Sequence, residues 1–372
     1  MSYRIVIQYV NVIFGDKKMS EYKILVVDYD FFNYSSAIEY YLTSRGFQAK
    51  RYSVKIPLNF RTRVYNWLIK KANEIFNFKK AFRMLGWQIR KISKDILREY
   101  NDYKPDCVLF VKADYISREA LLQMHESQLV VWMMDSYARY PYLIKDLGVF
   151  DNIFVFEKSD IKLLKTNNFN AYFLPLCADD RFFYPQSKER DIDILFIGAM
   201  YRERVKILQK MIARFPQAKI KIYGYYINRV EFIKKIVYKY TNKYKNFYGR
   251  VTPEEAGDLY SRSKICLNIH GSQSKYGANP RTFEILATKS FEIVDYNPYI
   301  EKILRDGVSF YRDENELFQK IEYYLTHDSE RATIAAKGYE YTKEKHMFSQ
   351  RIDELITECG WKACYKTASE RQ

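Results

Sequence analysis

Asp193-Ile194-Leu195-Phe196-Ile197-Gly198-Ala199-Met200-Tyr201-Arg202 is the stretch on which the reading of the fold turns. A β-rich apolar run stops at Gly198, and Val205, Leu208 and Met211 then recur at helical spacing, so the residues predict strand, tight turn and helix. Glycine lets a backbone or ligand approach closely, and a helix N-terminus offers unpaired N–H groups to an anion. Arg202 and Arg204 add full charges there. The same residues also read as a plain strand–turn–helix with surface arginines.

Working outward, the pattern repeats. Downstream strands are expected at 194–197, 220–223, 246–248, 265–269, 291–294 and 309–311, with helices between most of them and two closing helices near 314–325 and 330–345. Upstream, the apolar run 23–27 ends at Asp28 and enters a helical pattern stopped by Gly46. Strands at 107–111, 129–134, 152–156 and 171–174 follow. Alternating strands and helices predict an α/β protein with parallel sheets. The stretch 174–185 lacks periodicity and reads as a linker. The expected organisation is an extension over 1–18, with Met19 as a second plausible start, a first Rossmann-like domain over 19–180, a second over 181–356 and a tail over 357–372. Two such domains would face a central cleft, with ligands at the strand carboxyl ends.

The chain has 372 residues, 48% hydrophobic, which excludes intrinsic disorder, and a formal net charge of +16. Most of that excess lies between Lys50 and Tyr100, where fourteen Lys or Arg face three acids. Apolar stripes (Val64, Trp67, Leu68, Ala72, Ile75; then Phe82, Leu85, Ile89, Ile92, Ile96) share the segment. Residues 61–100 are therefore expected either to lie on an anionic inner-leaflet surface, with Trp67, Phe82 and Trp87 at the interface, or to pack on the first sheet with a solvated basic face. No run approaches the length of a spanning helix, and the five cysteines carry no CxxC, so the chain reads as reduced and cytoplasmic, peripheral at most.

Three further constellations bear on chemistry. In Asn279-Pro280-Arg281-Thr282-Phe283-Glu284, a polar Gly271–Gly277 loop leads into a helix whose first turn carries Arg and Glu. The arginine suits phosphate oxygens and the carboxylate suits ribose hydroxyls, or the two form an i,i+3 pair. Asp135 and Asp28 stand just past apolar strands, as acceptor-binding groups, bases or helix caps. His270 stands between a strand and the glycine loop, as a catalytic or structural histidine. No His/Asp/Glu cluster has metal spacing.

These motifs resemble those of CgeB-type (spore-maturation-protein-like) glycosyltransferases. The likeness runs through Phe196-Ile197-Gly198-x-x-Tyr201-x-x-Arg204, Tyr248-Gly249-x-Val251, Ile265–His270, Asn279-x-Arg281-x-Phe283-Glu284-x-x-Ala287, Ala335-x-x-Gly338 and His346-x-Phe348-x-x-Arg351. The resemblance implies a GT-B fold and a metal-independent glycosyltransferase, hexosyltransferase-like, that moves a sugar from a UDP-, GDP- or dTDP-linked donor to a glycan or lipid-linked acceptor in surface polysaccharide or glycoconjugate synthesis. No cofactor beyond that co-substrate is implied. It places Glu284 on the ribose, Arg281 on the diphosphate, Gly198 on the first phosphate loop, and Gly249 and Val251 near the base. Related retaining enzymes carry a second Glu eight positions earlier; here that position is Tyr276. For an inverting course Asp135 is the preferred base and Asp28 the second. The competing classes are a nucleic-acid-binding protein, which leaves the Gly198-to-Glu284 motifs unexplained, and a catalytically inactive scaffold of the same family.

Overall fold

A computed structural model describes residues 19–29, 33–57, 64, 84–224, 246–270 and 275–361. The chain forms two compact units: the segments up to Leu174 and from Arg351 make one, and Pro175–Gln350 the other. The sequence reading placed the break at 180 and a tail from 357.

The first unit is a six-stranded parallel sheet in the order β2-β1-β3-β4-β5-β6, with β1 Lys23–Asp28, β2 Gln48–Ser53, β3 Cys107–Val111, β4 Gln128–Met133, β5 Asn152–Val155 and β6 Ala171–Phe173. Strands β1, β3 and β4 are near-continuous apolar runs because helices cover both faces of such a sheet. Strand β2 (QAKRYS) was missed in the sequence. It is a polar edge strand with little buried surface and no apolar alternation to betray it. Helices α1 (Tyr34–Ser44), α2 (Gly86–Tyr103), α3 (Arg118–Leu122) and α4 (Lys158–Thr166) connect the strands.

Helix α2 is the described half of the basic segment; residues 58–63 and 65–83, with Trp67 and Phe82, lie outside the described residues. Ile92, Ile96 and Tyr100, spaced four apart on one face, sit in the core beneath the sheet. Arg90, Lys91, Lys94 and Arg98 are exposed on the other face, and Trp87 is half-buried. The apolar stripe of α2 is thus committed to the protein interior. The helix ends where Lys104 turns left-handed (φ 49°) ahead of Pro105. No helix among the described residues is long and apolar enough to cross a membrane.

The second unit is a five-stranded parallel sheet in the order β11-β10-β9-β7-β8, with β7 Ile192–Ile197, β8 Ile220–Tyr223, β9 Ser263–Asn268, β10 Glu292–Asp295 and β11 Ser309–Tyr311. The strand expected at 246–248 is only a single bridge, Phe247 to Ile222. Its helices are α5 (Arg202–Arg214), α6 (Pro253–Ser261), α7 (Pro280–Ala287), α8 (Pro298–Leu304), α9 (Glu314–Tyr324) and α10 (Asp328–Lys345). Proline opens α6, α7 and α8, each behind a Thr or Asn whose side chain accepts a first-turn N–H. A third closing helix, α11 (Phe348–Glu358), follows the two expected from sequence.

Trp361, just past α11, shows why the last segment belongs to the first unit. Its ring lies 6.1 Å from Tyr22 and 5.9 Å from Phe47, and its Nε1 donates to Gln128 Oε1 at 2.6 Å. Arg45 pairs with Asp353 at 3.0 Å, and Asn152 Nδ2 donates to the Glu358 carbonyl at 3.2 Å.

Candidate functional site

In the second sheet the strand order reverses between β7 and β9, so the carboxyl ends of these strands flank the switch point where open α/β sheets bind ligands. Gly198 ends β7. A Cβ added there would press on the Phe196 ring at 2.9 Å, and the Arg281 guanidinium lies close by, its Cζ at ordinary contact distance, 3.5 Å, from that position. Gly224 ends β8 at φ +154°, where a Cβ would sit 1.8 Å from the Gly198 carbonyl oxygen.

Arg204, on the first turn of α5, clasps this crevice. Its Nη1 donates to the Ala199 carbonyl at 3.1 Å and its Nη2 to the Ile269 carbonyl, joining the loops after β7 and β9. It is 7% exposed, and among the described residues it pairs with no carboxylate. Burial, and then the charge of Arg281, lower its pKa to about 10. Arg202 opens α5 and is exposed.

The first turn of α7 supplies the other groups. The Asn279 side chain caps it by accepting the Thr282 N–H at 3.3 Å. Phe283 is buried and stacks on His346, with centroids 4.3 Å apart. Gly338 of α10 fits so closely that an added Cβ would meet Leu286 at 2.7 Å and the Gly307 carbonyl. This backing holds α7 while Arg281 and Glu284 face the crevice half-buried. Arg281 and Glu284 form no ion pair with each other, so the i,i+3 reading fails. Burial pushes the Glu284 carboxyl up to about 7, against the pull of Arg281 and with a further rise from Asp179. Tyr276 is exposed in the preceding loop.

His270, at the end of β9, has both ring nitrogens engaged. Nδ1 lies 2.9 Å from Asp295 Oδ1, and Nε2 accepts the Asn279 backbone N–H at 3.2 Å. Its side chain is 2% exposed. Beneath it, Asn268 donates to Glu292 Oε1 at 2.7 Å and exchanges amide bonds with Asn279. Burial pushes the Glu292 carboxyl up to about 8, partly offset by the Asn268 and Thr282 hydrogen bonds. Gly249 and Val251 sit in the loop after Phe247; the Gly249 carbonyl accepts the Gly224 N–H at 2.9 Å, and Tyr248 stacks on Tyr223 at 4.9 Å.

The first unit presents a different strand-end cluster. Asp28 ends β1, and both its carboxylate oxygens are buried without a partner among the described residues. Lys112 and Ala113 follow β3 in consecutive left-handed conformations, φ 78° and 64°, a costly arrangement for non-glycine residues. Lys112 Nζ lies 2.5 Å from Asp135 Oδ2, with side-chain exposures of 6% and 9%. Burial alone would lower the lysine's pKa, but Asp135, with Tyr29, Asp114 and Tyr140, carries it above the ordinary value. Neither aspartate caps a helix: Ser136 accepts the Ala138 N–H after Asp135, and Asn33 precedes α1.

Comparisons with known proteins accord with this geometry. The family described as Glycosyl transferase-like matches residues 202–357. Spore protein CgeB of Bacillus subtilis (strain 168) is 20% identical over 308 residues, 77% of this chain and 92% of the relative. A sucrose-phosphate synthase structure from Thermosynechococcus elongatus superposes with a TM-score of 0.67 at 12% identity, over 90% of this chain and 98% of that one. The Anabaena HepE structure in complex with UDP-glucose gives 0.61 at 10% identity, over 90% and 99%. Residues 202–357 thus match the model of that family, and the chain has the GT-B fold of these structures. The resemblance drawn from the motifs is borne out.

Within that frame, the structure gathers Gly198, Arg204, Arg281, Asn279, Glu284 and His270 at one crevice of the second unit, and Asp28 and Asp135 at the strand ends of the first. Sequence reasoning missed Lys112, Asn268, Glu292 and Asp295. Lys112 and Asp295 had a usable signal: a charged residue directly ending or following an apolar strand. Among the described residues no three His, Cys, Asp or Glu are arranged to hold a metal ion.

Proposed function

We propose that the protein is a glycosyltransferase that takes a nucleoside-diphosphate sugar in the second unit. The observation that carries the reading is the buried Arg204 guanidinium, bonded to two main-chain carbonyls and in no ion pair among the described residues, with the charge of Arg281 outweighing that of Asp295 beside it. Two cations held at a switch point, one of them buried, call for a multiply charged anion. Ribose hydroxyls would donate to Glu284. The HepE neighbour's complex with UDP-glucose is in keeping with such a donor.

Breaking the anomeric C–O bond leaves negative charge on the departing diphosphate. Arg204 is fixed before the reaction by its two carbonyl bonds and stabilises that charge without reorganising, with Arg281 as a second cation beside it. On the acceptor side, Asp135 is bound to Lys112 and Asp28 is fully buried. This favours a retaining course, in which the acceptor hydroxyl oxygen bonds to C1 as the C1–O bond breaks and its proton passes to the leaving phosphate oxygen. A structural neighbour, trehalose-6-phosphate synthase (TM-score 0.62, 11% identity, over 91% of this chain and 99% of that one), is an enzyme of glycosyl transfer with retention. We read the acceptor as a glycan or lipid-linked hydroxyl in surface-polysaccharide synthesis. Contact with an anionic inner leaflet by α2 would rest on charge alone, through Arg90, Lys91, Lys94 and Arg98.

The test is thermal stabilisation by UDP-, GDP- and dTDP-sugars, followed by turnover and NMR of the anomeric product. Arg281→Ala is expected to lower turnover by about 10²–10³-fold in folded protein. Wild-type turnover in both Arg281→Ala and Glu284→Ala would overturn the reading. Stabilisation without turnover would mark a scaffold.

A further inference from the structure

The loop after β9, the end of β10 and the cap of α7 are joined through one imidazole. Asp295 Oδ1 takes both the backbone N–H of His270, at 2.7 Å, and its ring Nδ1, at 2.9 Å. A carboxylate can only accept, so Nδ1 carries the proton and Nε2 is left as an acceptor. Nε2 then receives the backbone N–H of Asn279 at 3.2 Å. Asn279 in turn caps α7 and is gripped from below by Asn268 at 2.9 Å. The N-terminus of α7 is therefore held at its capping residue by two side chains of β9 and its loop, one of them aimed by β10.

We propose that Asp295 and His270 are positioning residues for the phosphate end of the donor site, resting on the donor reading above. Asp295 selects the imidazole tautomer. His270 fixes the Asn279 cap and, through it, the direction of the first-turn N–H groups and the placement of Arg281 against Gly198. On this view His270 neither gives nor takes a proton during transfer. An imidazole with one nitrogen turned to a carboxylate and the other accepting a main-chain N–H has no free site for substrate.

Two measurements test this. In ¹⁵N-histidine-labelled full-length protein, His270 should show a protonated Nδ1 and an unprotonated Nε2 at pH 7.5. An Nε2–H tautomer would overturn the proposal even if the protein binds no nucleotide, a result that would count separately against the donor reading. By calorimetry with UDP, GDP or dTDP, whichever stabilises the protein most, His270→Leu and Asp295→Ala should weaken diphosphate binding about tenfold or more, the cost of losing a buried acceptor. The matching nucleoside should bind within about twofold of wild type. His270→Gln, whose Oε1 can still accept the Asn279 N–H, should recover most of the loss. Equal loss of nucleoside and diphosphate would indicate a merely structural role. Wild-type diphosphate affinity in a folded His270→Leu protein, or no recovery in His270→Gln, would also overturn the assignment.

Discussion

The two sheets place a buried cation at the same point of their topology and treat it in opposite ways. Lys112 follows β3, next to β1 at the reversal of the first sheet, and is neutralised by Asp135 at 2.5 Å. Arg204 lies at the reversal of the second sheet and gives its hydrogen bonds to main-chain carbonyls, with Asp295 acting on it without forming an ion pair. One strand end is electrostatically closed by its own residues. The other holds its cation on main-chain carbonyls, with no ion pair among the described residues. The comparison shows why a shared architecture says little about where an anion binds, while the partner of each buried charge says a great deal.

The sharpest way to break the comparison is to open the closed pair. Lys112→Met removes the cation from a buried carboxylate and should cost about 3–5 kcal/mol, read by denaturant unfolding. Lys112→Met with Asp135→Leu should return most of that loss, because an apolar pair of similar volume replaces an ion pair without an orphan charge. A single variant as stable as wild type would mean that the pair is not self-contained.

At the other sheet, Arg204→Met should weaken nucleoside-diphosphate binding about a hundredfold. Arg204→Lys should fall between, since a point charge cannot span both the Ala199 and Ile269 carbonyls. Binding that ignores both changes would remove the distinction between the two strand ends.

The smallest effect is one of pH. Burial pushes the Glu284 carboxyl up to about 7. Below that value its carboxyl is protonated and a poorer acceptor for ribose hydroxyls. Nucleoside affinity should therefore rise from pH 6 to pH 8, by at most about tenfold per unit, and then level off. Glu284→Gln should flatten the profile. The folding contribution of this group has the opposite slope. Its folded pKa lies above the ordinary 4.5, so that contribution is fully present below about 4.5 and declines as the pH rises through 7.

The parallel α/β architecture was legible because β1, β3, β4, β7 and β9 are apolar runs that no solvated element would carry. Strand β2 was not, since QAKRYS is a polar edge strand with no apolar alternation. At the site, Gly198, Arg281 and Glu284 could be placed from local spacing around a strand end and a capped first turn. Glu292 could not, and Asp295 offered only its place at a strand end, because their partners stand 24 and 25 residues earlier in the sequence and meet them only across adjacent strands. The state of Asp135 was hidden for the same reason: its partner Lys112 precedes it by a whole strand–helix unit. Sequence spacing reports what one element carries, whereas burial and pairing depend on neighbours that the sheet order brings together.

The return of residues 351–361 to the first sheet has a consequence for the order of synthesis. Tyr22, Phe47 and Gln128 leave the ribosome early, yet Trp361 and the Cys359 carbonyl that complete their surroundings emerge only after the whole second unit. The nascent first sheet must wait, incompletely packed, while Pro175–Gln350 is made and folds as a continuous segment. A stop codon shortly after Gln350 would therefore injure the opposite end of the polypeptide from the one it shortens.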